Sequence, residues 1–275
     1  MKKNVAGTVG RVSFMVICAA LFVSPLLFTL LSSFKNNREI FTAPFSMPAA
    51  WRFENYVTAW KQANIGQYFF NSILLAVATV ALLALLCSMA AFVIARFRFR
   101  FGRLILVFFM IGMMVPMHTV LVPIAYMIGL FKLKNNLFVL ILLFTAFSIP
   151  FTIMVLTNFM GQIEGALEEA AVIDGAGYAQ IYRHVALPLS VPALATVSIF
   201  NFLGAWNNVL FPLLFINDRR LKPISLGLLS FNGERGSEYA PLMAAIIITV
   251  SVPLAIYLLF QEKVEGGLSA GAVKG

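Results

Sequence analysis

Polar and charged positions along this chain gather in clusters, and between the clusters the sequence is apolar for twenty or more residues at a time. The apolar runs lie near residues 12–34, 69–95, 104–130, 137–160, 191–215 and 241–260. The first would form a helix about 34 Å long at a rise of ~1.5 Å per residue, against a hydrocarbon core of about 30 Å. The pattern predicts an all-α chain with six membrane-spanning helices. The first run follows Lys2, Lys3 and Arg11, as a secretory signal would, but it is too long for one and lacks a small-residue cleavage site. It is expected to be a retained anchor.

Composition agrees with this reading, since 61% of the residues are hydrophobic and 11% charged, where a soluble domain carries about 25% charge. The net charge of +9 comes from basic residues at the ends of apolar runs rather than from a stripe, so it points to the bilayer and not to nucleic acid. Lys and Arg divide evenly between the two sides. Orientation therefore rests on the compact clusters: Lys2, Lys3 and Arg11 before the first run, and Arg96, Arg98, Arg100 and Arg103 within "RFRFRFGR". Both fall on one side, which predicts cytoplasmic N- and C-termini. Residues 35–66, with Trp51, Tyr56 and Trp60, and Tyr68 just beyond them, read as a structured outer loop lying on the headgroups. Prolines recur inside the runs, at Pro25, Pro116, Pro123, Pro150, Pro192, Pro212 and Pro253. Each frees a carbonyl that needs another donor.

Groups able to do covalent chemistry are scarce. No HExxH and no Walker-type GxxxxGK[ST] occurs, the histidines are His118 and His184, and no Asp or Glu lies inside any of the six runs. Cys18 and Cys87 each sit in an apolar run with no second ligand nearby and read as packing residues. An enzyme and a metal site are not expected, nor a cofactor bound by this chain. Polar side chains inside the runs are candidates for a solute pathway: His118, Asn201, Trp206, Asn207 and Asn208, an aromatic ring and amides that would suit a hydroxylated solute. The same residues could instead serve interhelical hydrogen bonding, and His118 could donate to a carbonyl freed near Pro116.

One loop differs from the rest. Residues 161–190 place Glu164, Glu168, Glu169 and Asp174 among Ala166, Leu167, Ala170 and Ala171, which reads as a short helix with small side chains on one face. Gly175 and Gly177 break it. Tyr178, Ile181, Tyr182 and Val185 then recur at i, i+3, i+4 and i+7, a second amphipathic helix whose stripe could pack on the membrane end of the bundle. Leu187 and Pro188 are expected to end it, and Pro192 to open the next span. The loop reads as a helix-turn-helix knob outside the bilayer.

The spacing within the knob resembles the signature loop of permease subunits of ATP-binding-cassette importers. Glu169, Ala170, Ala171, Gly175, Leu187 and Pro188 match that pattern, with Val185 where isoleucine is usual. Asn71 and Ser72 at the second span, "GAWNNVLFPLL" in the fifth and "GGLSAGAVKG" at the end are similar to the carbohydrate branch of these permeases, which includes the smaller permease subunit of the maltose importer. The resemblance covers essentially the whole chain. It implies an anchor and outer loop over 1–68, a permease domain over 69–262 and a cytoplasmic tail over 263–275, with Gly267 through Gly275 against the ATPase. It further implies a subunit of a sugar importer in the cell inner membrane that pairs with a second permease subunit to form the pore. An ATPase dimer that binds ATP and Mg, and an extracytoplasmic solute-binding protein, would complete it. Glu168, Glu169, Ala170, Ala171, Asp174, Gly175, Leu187 and Pro188 would then couple to the ATPase. Differential contact with two ATPase states is what can bias two membrane states. A polyol or glycerol 3-phosphate is an alternative solute. A self-sufficient secondary carrier and a membrane-bound assembly factor are the alternatives of other classes.

Overall fold

The computed structural model describes residues 5–97, 100–232 and 238–272. It is built of helices and turns, with no strand among the described residues. The chain divides into two compact units, residues 1–66 with 227–252 and residues 67–226 with 253–275.

The first unit contains α1 (Val5–Ser32), α2 (Asn37–Thr42), α3 (Glu54–Val57) and a π-turn (Thr58–Gln62). In α1 the proline at position 25 cannot donate to Leu21, and Ser24 Oγ donates to that carbonyl instead at 3.1 Å. The segment after α1 is locked by polar contacts. Lys35 is fully buried, and its Nζ donates to the carbonyls of Ala43 and Pro44 at 2.9 and 2.8 Å, closing the C-terminal end of α2. Asn55 Nδ2 donates to the carbonyls of Ser33 and Lys35, and the Tyr56 hydroxyl bonds Ser33 Oγ at 2.8 Å.

The second unit carries most of α4 (Ile65–Arg96), then α5 (Gly102–Met114), a 3-10 turn (Met117–Val120), α6 (Leu121–Leu130) and α7 (Leu137–Met160). It continues with α8 (Gly165–Ile173), α9 (Tyr178–Ile181), a π-turn (Tyr182–Ala186), α10 (Leu187–Leu189), α11 (Val191–Asn207), α12 (Leu210–Phe215), a 3-10 turn (Arg219–Leu221) and α13 (Ile224–Gly227). Past a 3-10 turn (Leu228–Asn232), α14 (Tyr239–Ala272) starts in the first unit and ends in the second. Helix α7 is the centre of packing, with α5 and α11 against it.

Among the described residues, four helices are long and apolar enough to cross a membrane: Val9–Ser32, Ile65–Arg96, Leu137–Met160 and Tyr239–Gln261. Six spans result if two bent pairs each count as one. The bends depart from the continuous spans that the sequence predicts. Between α5 and the turn opening α6 the axis bends by 87°, because Pro116 has no N–H and forces Val115 into extended backbone. Prolines at 25, 150 and 253 lie inside unbroken helices. The predicted run 191–215 also breaks, at Asn208. Pro212 leaves the Asn208 carbonyl free, and Ser225 Oγ donates to it at 2.7 Å. The expected tail, 263–275, continues α14 as far as Ala272, and residues 273–275 lie outside the described residues, as does Arg98.

Candidate functional site: the knob and its seat

Helix α8 ends by a rule legible in the sequence. Gly175 sits at φ +84°, a conformation that side chains with a Cβ rarely adopt. The Ala176 N–H reaches the Ala171 carbonyl at 2.9 Å and the Gly175 N–H that of Val172 at 3.0 Å, the paired bonds of a Schellman stop. Gly177 then opens the next helix, its N–H donating to Gln180 Oε1 at 2.8 Å. That helix does not end at Leu187 and Pro188 as expected. It runs as α9, π-turn and α10 to Leu189, then bends by 71° into α11. Pro188 cannot donate to the His184 carbonyl, and the preceding turn widens so that the Leu187 N–H meets Tyr182 instead.

The two faces of the knob are different. Ile181 and Ala186 are buried against Leu83, Cys87, Phe92 and Leu156. The Tyr182 hydroxyl bonds Ser88 Oγ of α4 at 2.8 Å. Its ring packs on Phe92 at 5.4 Å, and Phe97 meets Tyr178 at 4.8 Å. Outward, Glu169, Ala170, Asp174, Gly175 and Pro188 are exposed, while Ala171 and Leu187 are half-buried. Leu167, Val172 and Ile173 are exposed too, Ile173 by 86%. Three exposed apolar side chains set among carboxylates give α8 apolar area of the kind a protein partner covers. A cleft of about 820 Å³ opens between α8 and the end of α4, lined by Arg96, Phe97, Glu168, Glu169, Val172 and Ile173.

Glu168 is the exception among the predicted coupling residues. It faces α4, with 18% of its side chain exposed, and lies 2.6 Å from Arg96 Nε. The carboxylate meets Nε as a charge contact outside the N–H axis. Arg96 Nη2 donates to the Ile163 carbonyl at 2.9 Å, at the start of the knob.

The five pathway candidates sit in different surroundings. Asn201 is buried and donates from Nδ2 to Thr152 Oγ1 at 2.9 Å, which joins α11 to α7. Trp206 is 1% exposed, stacked on Phe202 and edge-on to Phe69. Asn208 Oδ1 accepts from the Phe211 N–H and caps the break before α12. His118 and Asn207 are exposed. The Pro116 carbonyl accepts from Thr119, through both N–H and hydroxyl.

No group of His, Cys, Asp and Glu able to hold a metal occurs among the described residues. Residues 267–271 read Gly-Leu-Ser-Ala-Gly, a spacing also found at nucleophile elbows. Here they lie within the helix α14, not on the strand-to-helix turn that exposes such a serine.

Sequence reasoning placed no role on Ser88 or Arg96 beyond topology, nor on the work of Asn71 and Ser72. Asn71 Nδ2 donates to the carbonyls of Arg220 and Lys222 at 2.8 and 2.9 Å, and Ser72 Oγ accepts from the Ile224 N–H at 2.8 Å.

The family model described as binding-protein-dependent transport system inner membrane component matches residues 87–269. The chain belongs to that family. It is thus a multi-pass permease subunit of a transport system of the inner membrane. It is 38% identical over 262 residues, 94% of this chain and 87% of the other, to the diacetylchitobiose uptake system permease protein NgcG of Streptomyces coelicolor. To the multiple sugar-binding transport system permease protein MsmG of Streptococcus mutans it is 32% identical, over 92% of each chain. Its fold is that of a chain in the crystal structure of a bacterial ABC transporter involved in import of the acidic polysaccharide alginate. The TM-score there is 0.85 at 19% identity, over 95% of this chain and 98% of that one.

Proposed function

We propose that this subunit forms half of the pore of an ATP-driven importer of a sugar or oligosaccharide, with cytoplasmic termini. Its knob is the handle by which an ATPase dimer moves it. A second permease subunit supplies the other half of the pore, and an extracytoplasmic binding protein delivers the solute. The observation that carries this reading is the two-faced knob. One side is bolted to α4, and α8 leaves Leu167, Val172 and Ile173 exposed beside Glu169 and Asp174. ATP and Mg belong to the ATPase. This chain supplies contacts that differ between two ATPase states, which is how one equilibrium biases another. Relatives named for diacetylchitobiose and multiple-sugar uptake favour a sugar over a polyol.

The test is reconstitution of the chain in vesicles with its second permease, ATPase and binding protein, using radiolabelled diacetylchitobiose as the first probe. ATP inside the vesicles is expected to drive uptake. Glu169→Lys is expected to reduce it at least tenfold while the chain still inserts. Uptake by this chain alone, driven by an ion gradient, would establish the secondary carrier instead. Normal ATP-driven uptake by Glu169→Lys would remove the handle from the mechanism.

A further inference from the structure

We infer that α4 is the lever of this subunit, carrying displacement of the knob across the bilayer to the loop at residues 217–224. The inference rests on the proposed role of the knob. Both halves of the knob are fastened to this one helix by polar contacts. Glu168 of α8 meets Arg96, and Tyr182 of the second half meets Ser88, which is 1% exposed. Arg96 and Ser88 are separated by about 12 Å of helix, so the knob is held at two points and cannot swivel freely about either.

The opposite end of α4 is fastened as firmly. Asn71 and Ser72, 7% and 2% exposed, hold Arg220, Lys222 and Ile224 by their backbones. Asn135 Oδ1 accepts from the N–H groups of Asn217 and Asp218 and braces the same loop. Ser72 and Arg96 are about 36 Å apart along the axis, more than the ~30 Å of hydrocarbon. The Arg96 and Ser72 fastenings are therefore far enough apart to lie at opposite membrane faces, with Ser88 about 24 Å from Ser72 between them.

The rod between them is unbroken. Of the four long candidate spans, those in α1, α7 and α14 each contain a proline. Helix α4 contains none, and its only glycine is Gly66 in its first turn. Kinks arise at proline, at Gly/Ser pairs and at inserted turns, so this span transmits a push where the others can flex. The loop it reaches carries Arg219, Arg220 and Lys222, all outside the apolar runs.

The test uses the assembled transporter, this chain with its second permease and ATPase, in lipid nanodiscs. Asn217→Cys, in a Cys18→Ser and Cys87→Ala background, is labelled with a membrane-impermeant maleimide with and without Mg-ATP and vanadate. In the parent, nucleotide is expected to change the labelling rate by on the order of tenfold, the size of an ordinary coupling between sites. Glu168→Gln and Asn71→Ala are expected to abolish that change. Arg96→Glu combined with Glu168→Arg is expected to restore it. Should the single variants fail to assemble, Ser88→Ala with Tyr182→Phe removes the bond between the two hydroxyls, along with those from Ser88 to carbonyls of its own helix, and no charge, and the same loss is expected. A full nucleotide response in these variants, or no recovery in the charge swap, overturns the lever. A parent that binds no ATPase overturns the proposed function itself, and the lever with it.

Discussion

Adjacent residues on a helix point about 100° apart, so the doublet Glu168 and Glu169 divides readily between two surroundings. The structure gives one to each side: Glu168 to Arg96 and Glu169 to solvent. Sequence placed both on the coupling face because spacing within a loop says nothing about which side another helix covers. Gly175 is the opposite case, legible because the constraint is local. A Cβ there would meet open space, so the only obstacle to substitution is the φ of +84°. Gly175→Val is therefore expected to destabilise the turn by about 1–3 kcal/mol, and Gly175→Asn by clearly less, since Asn tolerates this region. Hydrogen exchange of the Gly175 and Ala176 amides reads the difference. Equal protection in both variants would show that the turn does not need its glycine.

At the scale of the element, the apolar runs were legible as helices, but their breaks were not. A proline in an apolar run has two outcomes. Pro25 stays in a helix because Ser24 meets the freed carbonyl. Pro212 accompanies a break because Ser225, well along the chain, takes the Asn208 carbonyl. Donor positions of that kind depend on the fold and leave no local mark. The segment after α1 shows the same dependence. The sequence marks it as structured by its aromatics, yet what holds it is the buried ammonium of Lys35 between two carbonyls at the end of α2. Lys35→Met keeps the aliphatic stem and deletes the donors. It is expected to cost about 1–3 kcal/mol of local stability, the penalty for orphaned buried acceptors. Limited proteolysis should then cut near residues 43–52 sooner. Glu54→Gln, which removes an exposed ion pair with Arg52, is expected to cost no more than about 1 kcal/mol and serves as the control. Equal cutting rates in the two variants would remove Lys35 from the account.

For the whole molecule, apolar content is a poor guide to where cohesion lies, because lipid solvates an apolar side chain as well as a neighbouring helix does. The windows of α1 and α7 have the same mean hydropathy, 2.5, but 0% of the first and 39% of the second is buried within the chain. In the second unit, buried side chains form two clusters. One includes Leu75, Leu140, Phe144 and Phe211, and the other Leu83, Leu156, Ile181 and Val197. The Asn201–Thr152 bond joins α11 to α7 near the boundary between them. Hydropathy sees insertion, and only packing sees the core, which is why the sequence ranked these helices alike. Leu140 is fully buried and Phe22 is 76% exposed. Leu140→Ala opens a void whose walls lose their dispersion contacts, and should lower unfolding stability in mild detergent by about 2–5 kcal/mol. Phe22→Ala removes more atoms, but lipid or detergent closes over the gap at once, so its midpoint should stay close to the parent's. Thermal unfolding of the two variants, followed by tryptophan fluorescence, makes the comparison. A larger shift from Phe22→Ala than from Leu140→Ala would mean that α1 has a packing partner in the isolated chain and that the division between lipid-facing and core helices is drawn in the wrong place.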